Sequence, residues 1–186
     1  MNTWTLDPAH SQIEFAVKHM MVTTVRGQFR KFAVEADFDE EHPERSSVVA
    51  HIDASSIETG MEARDAHLRS ADFLDVASHP ELTFRSTSIE RSGDGYQIHG
   101  DMSIGAATRP VTLDAEIGGV VPNLQGGRRA GFSATTKISR KEWGLTWNVA
   151  METGGWLVGD EIKVSLELAL VAAAAAQTKV AIGIAA

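Results

Sequence analysis

The chain has 186 residues, 43% of them hydrophobic and 23% charged, with 17 Lys plus Arg against 25 Asp plus Glu and a net charge of −8. That length supports one well-buried domain and is short for two, and the acidic balance opposes binding to nucleic-acid phosphates or to an anionic membrane surface. There is no cysteine, which excludes disulfides, thiolate nucleophiles and thiolate metal sites.

The N-terminus, MNTWTLDPAH, has no basic n-region, no apolar h-region and no small-residue cleavage site, so a cytoplasmic protein is expected. From Gln12 onward the chain alternates polar and apolar residues with a period of two, as strands with one buried face do. Ile13, Phe15 and Val17 oppose Gln12, Glu14, Ala16 and Lys18, and Val34, Ala36 and Phe38 oppose Glu35 and Asp37. Val48, Ala50 and Ile52 then face away from His51 and Asp53.

Between Arg64 and Phe84 the rhythm breaks. Ser55, Ser56 and Thr59 precede a short helical run predicted over Met61 to Leu68, with Met61, Asp65 and Leu68 on one face. Arg64, Asp65, His67 and Arg69 give this segment a polar edge. Phe73, Leu74 and Val76 supply apolar contacts before Pro80 turns the chain into the next strand. Alternation resumes at Leu82 and Phe84, continues through Tyr96, Ile98 and Met102, and recurs over Val111 to Ile117 and Phe132 to Ile138. The last run, Ile162 to Leu170 against Glu161, Lys163, Ser165 and Glu167, is the cleanest. Turn-forming residues separate the runs at Asp39 to Arg45, Ser92 to Gly95 and Pro122 to Gly127. Residues 172–186 form an Ala-rich tail, broken by Gln177, Thr178 and Lys179 too near its middle for a spanning helix. No stable membrane insertion is expected.

About eight strands, each with one apolar face, and one short helix point to an all-β domain. We read it as an elongated antiparallel barrel with the helix at its mouth, in preference to a two-sheet sandwich, because several runs exceed the usual strand length. The domain is placed at residues 1–171.

Four separated blocks carry a specific resemblance: WTLDPAHSQIEFAVKH near the N-terminus, SIETGMEARDAHLRSADFLDVASHPELTFRS in the centre, GAATRPVTLDAEI, and RKEWGLTWN with LVGDEIKVSLELALV at the end. Together these blocks resemble the YceI-like family and cover nearly the whole domain. The resemblance implies a lipocalin-like barrel whose interior binds a polyisoprenoid or another long amphiphilic lipid. It also implies a homodimer. Family members are often exported, and in the absence of a signal peptide no periplasmic role is carried over.

An apolar tube suits a long hydrocarbon and offers a sugar or nucleotide too few hydrogen-bond partners. The expected wall residues are Ile13, Phe15, Val17, Phe29, Phe84, Met102, Phe132, Ile138 and Leu166, although a filled barrel core would show the same alternation. Trp143 and Trp147 either stack on the ligand or plug one end, and Trp4 and Trp156 pose the same choice. For a polar head group the candidates are His10, Ser11, Arg64 and His67, with His19, Asp65 and Arg109 in the same family-like blocks. Arg64 is preferred because a guanidinium matches phosphate or carboxylate. A local ion pair with Asp65 competes with that role, and His10 and Ser11 equally suit a turn after Pro8.

Seven histidines form no HxH, HxxxH or HExxH pattern, so no metal is expected. Neither GxSxG nor a P-loop occurs, and no cofactor is expected. The competing function is an enzyme acting on an isoprenoid or acyl lipid, which would require ionisable residues such as His19, Asp65 and His67 to converge inside the tube.

Overall fold

The computed structural model describes residues 2–124, 126–152 and 154–172. The alternating runs pair with one another in chain order, as short turns between one-faced strands dictate. The strands are β1 (Asn2–Leu6), β2 (Gln12–His19), β3 (Thr23–Phe29), β4 (Phe32–Phe38), β5 (Ser47–Asp53) and β6 (Ile57–Glu58). After the helix α1 (Glu62–Arg69) come β7 (Glu81–Ser92), β8 (Gly95–Ile104), β9 (Ala107–Pro122), β10 (Arg128–Ser139) and β11 (Val158–Ala172).

All neighbouring pairs are antiparallel. β1, β4, β5, β7, β8, β9, β10 and β11 form a ring of eight strands, and β1 closes it on β11 through Thr5 opposite Val171 and Leu6 opposite Leu170. β2 follows β1 after a 3₁₀ turn at Pro8–His10 and pairs the earlier part of β11. β3 runs into β4 through Arg30 and Lys31, and β5 into β6 through Ala54–Ser56. Three of the eight staves are therefore bent, and the bends lie side by side. The backbone groups freed there find partners across the break. Arg30 N–H donates to Ser56 O (3.2 Å) and Asp53 N–H donates to Lys31 O (3.0 Å).

The meander places the β2–β3 turn, residues 59–80 and the described residues of 140–157 at one end, here the cap end. Residues 39–46, 93–94, 123–124 and 126–127 lie at the far end. Inside the far end Phe38 packs edge-on against Trp4 and Phe132, with centroids 5.7 and 5.0 Å apart. Trp4, Ala130, Leu170 and Ala172 are buried around them. At the cap end β6 has β3 as its one strand neighbour among the described residues. Its open edge is covered by Arg69, whose Nε donates to Ser55 O and whose Nη2 donates to Ile57 O, both at 2.9 Å.

Outward positions such as Gln12, Glu14, Lys18, Glu35, Lys163 and Glu167 are polar and mostly exposed. Among the described residues no helix is long and apolar enough to cross a membrane, and charged outer faces are the reverse of what a membrane-spanning barrel presents to lipid. The Ala-rich residues 173–186 lie outside the described residues.

Three strands were not legible in the sequence. β1 is five residues long and β6 two, and in β3 the inward positions are Val25, Gly27 and Phe29, so a glycine interrupts the apolar series. The helix begins one residue later than its period predicts, because Met61 is extended (φ −136°, ψ 108°).

Gly27 and Gly100 serve the wall by lacking a side chain. The Phe15 ring lies over Gly27 and the Phe84 ring over Gly100, where a Cβ would collide with each ring. A Cβ on Gly100 would also come within 2.6 Å of the Arg85 carbonyl oxygen. Gly100→Val is expected to lower stability by about 1–3 kcal/mol, read from urea denaturation, with Phe84 driven off the wall. An unchanged midpoint would contradict this packing.

Candidate functional site

A cavity of about 270 Å³ runs along the barrel. It extends from Phe38 and Pro43 at the far end to Phe73 and Leu145 at the cap end, with a wall that is almost wholly apolar. Inward side chains such as Phe15, Val17, Ile98, Phe132, Ile162 and Leu166 keep some accessible surface. A barrel filled by its own residues would bury them.

Ile13, Phe15, Val17, Phe29, Phe84, Met102, Phe132, Ile138 and Leu166 all border this cavity. They come from six strands, and the alternation that pointed to them is the alternation that turns them inward.

The two tryptophans of EWGLTWN stand elsewhere. Trp143 is buried, and its Nε1 donates 3.0 Å to the Met102 carbonyl, so it plugs the wall from behind. Trp147 meets the His67 ring edge-on at 4.6 Å and Phe73 at 5.2 Å. This contact ties residues 140–157 to the helical segment. Of that trio, Phe73 reaches the cavity. Trp4 belongs to the far-end cluster, and Trp156 is half exposed.

His10 and Ser11 are not at the mouth. They sit in the bend between β1 and β2, where Ser11 Oγ donates to Asp7 O (2.8 Å) and accepts from Ala169 N–H (2.9 Å). His10 Nδ1 lies 2.9 Å from Asp7 Oδ2, and Arg129 Nη2 lies 2.7 Å from the same carboxylate. Partial burial pushes the Asp7 carboxyl up, but the His10 and Ala9 hydrogen bonds and the charges of His10 and Arg129 hold it below its ordinary range.

Arg64 and Asp65 do not pair with each other; both turn to Thr59. Arg64 Nε donates to Thr59 Oγ1 (2.7 Å) and Nη2 to Thr59 O (3.0 Å). Asp65, 3% exposed, accepts from Thr59 N–H and from the Thr59 hydroxyl. This closes the loop into α1. His67 Nε2 is 2.8 Å from Asp72 Oδ2. Arg109, on β9, donates to the Thr108 carbonyl and is exposed. None of His19, Asp65 and His67 borders the cavity, so the convergence that an acid–base cluster needs is absent among the described residues.

One residue escaped the sequence reading. Arg140 follows Ile138 in the inward register of β10 and is 3% exposed, yet it borders the apolar cavity. Its Nε donates to Gly159 O (3.0 Å), its Nη1 to Trp147 O (3.0 Å) and Leu145 O, and its Nη2 to Val158 O and Asp160 Oδ1 (both 3.4 Å). Burial pushes the guanidinium pKa down, and the Asp160 carboxylate opposes that. The five donors of one side chain thus tie Leu145 and Trp147 to Val158, Gly159 and Asp160 at the cap end. With all of them engaged, Arg140 is a staple and not an anion site. The available signal was its parity with Phe132, Ala134, Thr136 and Ile138.

Comparison with known proteins agrees with this geometry. Residues 4–170 match the YceI-like domain. Protein YceI of Salmonella newport is 39% identical over 137 residues, covering 74% of this chain and 72% of the relative. The crystal structure of a Campylobacter jejuni YCEI protein superposes with a TM-score of 0.71 at 28% identity, over 82% of this chain and 87% of that one. A polyisoprenoid binding domain from Saccharophagus degradans shares the fold, with a TM-score of 0.63 at 13% identity over 92% and 99%.

Arg140→Met removes the side-chain donor of the Leu145, Trp147 and Gly159 carbonyls and is expected to cost about 3 kcal/mol in urea unfolding. Arg140→Lys should recover little of it, since one ammonium cannot span five acceptors. Rescue by lysine would show that charge alone is needed. Because the folded-state pKa of Asp7 is depressed, its stabilisation is present above the unfolded value, about 3.9, and is lost as pH falls through the folded value. Asp7→Asn should therefore flatten the pH dependence of stability below about pH 4, measured by thermal melts in acid; an unchanged acid limb would contradict this.

Proposed function

The chain belongs to the YceI-like family, and on that premise we propose that it binds, stores or transports a long apolar lipid inside the barrel, without chemistry of its own. The observation that carries this reading is the apolar lumen running along the barrel axis. The class of ligand we favour is a polyisoprenoid, such as an isoprenoid quinone or a polyprenyl chain. The shared fold with the Saccharophagus degradans polyisoprenoid binding domain supports that choice.

Magnitudes favour a long chain over a short one. About ten buried carbons contribute about 8 kcal/mol, against an association cost of about 4–15 kcal/mol. Short chains are therefore held weakly, and each added carbon that stays inside strengthens binding. The inward series from Val158 to Leu170 on β11 covers 12 residue steps (170 − 158). That is about 40 Å along the strand and about 30 Å along the axis at a typical tilt. Longer ligands gain nothing further inside.

The aromatic cluster of Trp4, Phe38 and Phe132 favours a head group at the opposite, cap end. There Arg64 and His67 stand on α1 as the groups a polar head would meet. Among the described residues His19, Asp65 and His67 all lie off the cavity wall, and that weighs against the enzyme reading.

Affinity for polyprenols of increasing length should rise and then level off once the extended chain exceeds about 30 Å, followed by native mass spectrometry after detergent-free purification. Phe132→Asp and Phe84→Asp each place a charge in the lumen and should abolish uptake, whereas Phe132→Leu should retain it. Protein that purifies empty and takes up no isoprenoid of any length would overturn the proposal.

A further inference from the structure

The cap end carries an apolar tip that the lumen does not use. Met20, Met21 and Val22 are 48%, 62% and 79% exposed at the β2–β3 turn, and Val149 and Trp156 are about half exposed beside them. Their adjacency is direct: Met20 N–H donates 2.8 Å to Leu157 O, Leu157 N–H donates 2.9 Å to Val149 O, and Trp156 bridges to Ala150. A Cβ on Gly155 would touch Met21 at 3.7 Å. One exposed surface therefore joins the turn to residues 149–151 and 155–157.

The turn is built against local preference. Val22 N–H donates to His19 O, and both central residues have positive φ, 52° at Met20 and 60° at Met21. Such a primed hairpin turn favours Asn-Gly, because left-handed residues with side chains are strained. Two methionines occupy it instead and project large apolar side chains into water.

The wall just behind this tip is basic. Lys137 is opposite Lys163, Lys163 opposite Ala16, and Ala16 opposite Arg26, in one row across four neighbouring strands. Lys137, Lys163 and Arg26 are exposed, as is Lys18 two residues nearer the turn. Among the described residues, the carboxylate within 4 Å of a basic group of this row is Glu161, 3.8 Å from Lys137. The net charge of −8, which argues against an anionic surface for the chain as a whole, averages over this local change of sign.

We propose that the cap end docks reversibly on an anionic lipid bilayer, with Met20, Met21, Val22 and Trp156 entering the interfacial layer and Lys18, Arg26, Lys137 and Lys163 facing the lipid phosphates. The dimensions agree. Interfacial elements bury about 5–10 Å, which brings Lys18 to the headgroups, and the row four to five residues behind the tip, about 15 Å, reaches them with long side chains. Docking so placed sets the cap end of the cavity against the lipid phase. The inference rests on the lipid-tube reading for its purpose and on the surface alone for its physics.

The test is co-sedimentation with vesicles of phosphatidylcholine alone and of phosphatidylcholine with phosphatidylglycerol. The intact chain should bind the mixed vesicles more tightly, less so with added salt, and its Trp156 emission should shift to the blue, a shift lost in Trp156→Phe. Met20→Asn with Met21→Gly supplies the residues that the turn prefers, so the fold is kept while binding falls about tenfold or more. Arg26→Glu with Lys163→Glu should lower binding to the mixed vesicles about fivefold or more per site and leave binding to phosphatidylcholine alone unchanged. Absence of sedimentation with either vesicle, or unchanged binding in both variants, would overturn the proposal. So would a dimer in gel filtration that Met20→Asn with Met21→Gly dissolves, since a second copy would then be the occupant. Uptake of polyprenol from ethanolic solution, without vesicles, separates the two readings. Uptake without docking defeats this inference alone, and docking without uptake defeats the lipid-tube reading alone.

Discussion

The architecture depends on a short seam between the two ends of the described chain. Thr5 against Val171 and Leu6 against Leu170 join the β1 half of the first stave to β11, and seven pairs between β2 and β11 join its other half; without this seam a twisted sheet of eight long staves would end in two exposed edges. The bend that follows extends the seam with side chains: Asp7 N–H donates 2.8 Å to Ala169 O, and Ser11 Oγ bonds the same residue's N–H. His10 and Arg129 hold the Asp7 carboxylate in place. The block DPAHS is thus explained by closure. Everything inside the barrel inherits its position from that closure, because the register it fixes decides which alternate residues face the lumen.

The two ends of the tube are finished by different physics. At the far end, rings stack edge to face and exclude water by volume. At the cap end, a buried guanidinium collects carbonyls from residues 145 to 159 while the His67, Phe73 and Trp147 rings bring two connections together. A packed end resists change in volume, and a stapled end resists loss of one residue. The lumen lies between a plug that depends on shape and a cover that depends on hydrogen bonds.

Alternation made most of this legible. A strand with one buried face has to repeat every two residues, and the eight runs from Ile13 to Leu170 correspond to the eight staves. Where an inward position is glycine, as at Gly27, the pattern weakens although the geometry is intact, because the Phe15 ring fills the space from a neighbouring strand. The nine aliphatic and aromatic wall positions followed from parity. Trp143 and Trp147 did not, and although parity turns Arg140 inward, the carbonyls that it binds lie on connections whose path no local pattern encodes. Arg64 and Asp65 were adjacent in sequence and read as partners, but the loop brings Thr59 to both. Membership of a motif did not distinguish a seam residue such as Ser11 from a rim residue such as His67.

Arg69 has a consequence for how such barrels change over evolutionary time. Next to β6 the ring is completed by a guanidinium bound to the Ser55 and Ile57 carbonyls, in the place where a strand would otherwise hydrogen-bond. The insertion between residues 59 and 80 therefore shares no ladder register with the wall beside it. Its length and composition can drift, provided one long donor still reaches those two carbonyls, and the rest of the sheet need not shift. The mouth is in that sense a replaceable cassette on a separately closed frame, and a change of ligand choice has a route there that leaves the lumen untouched.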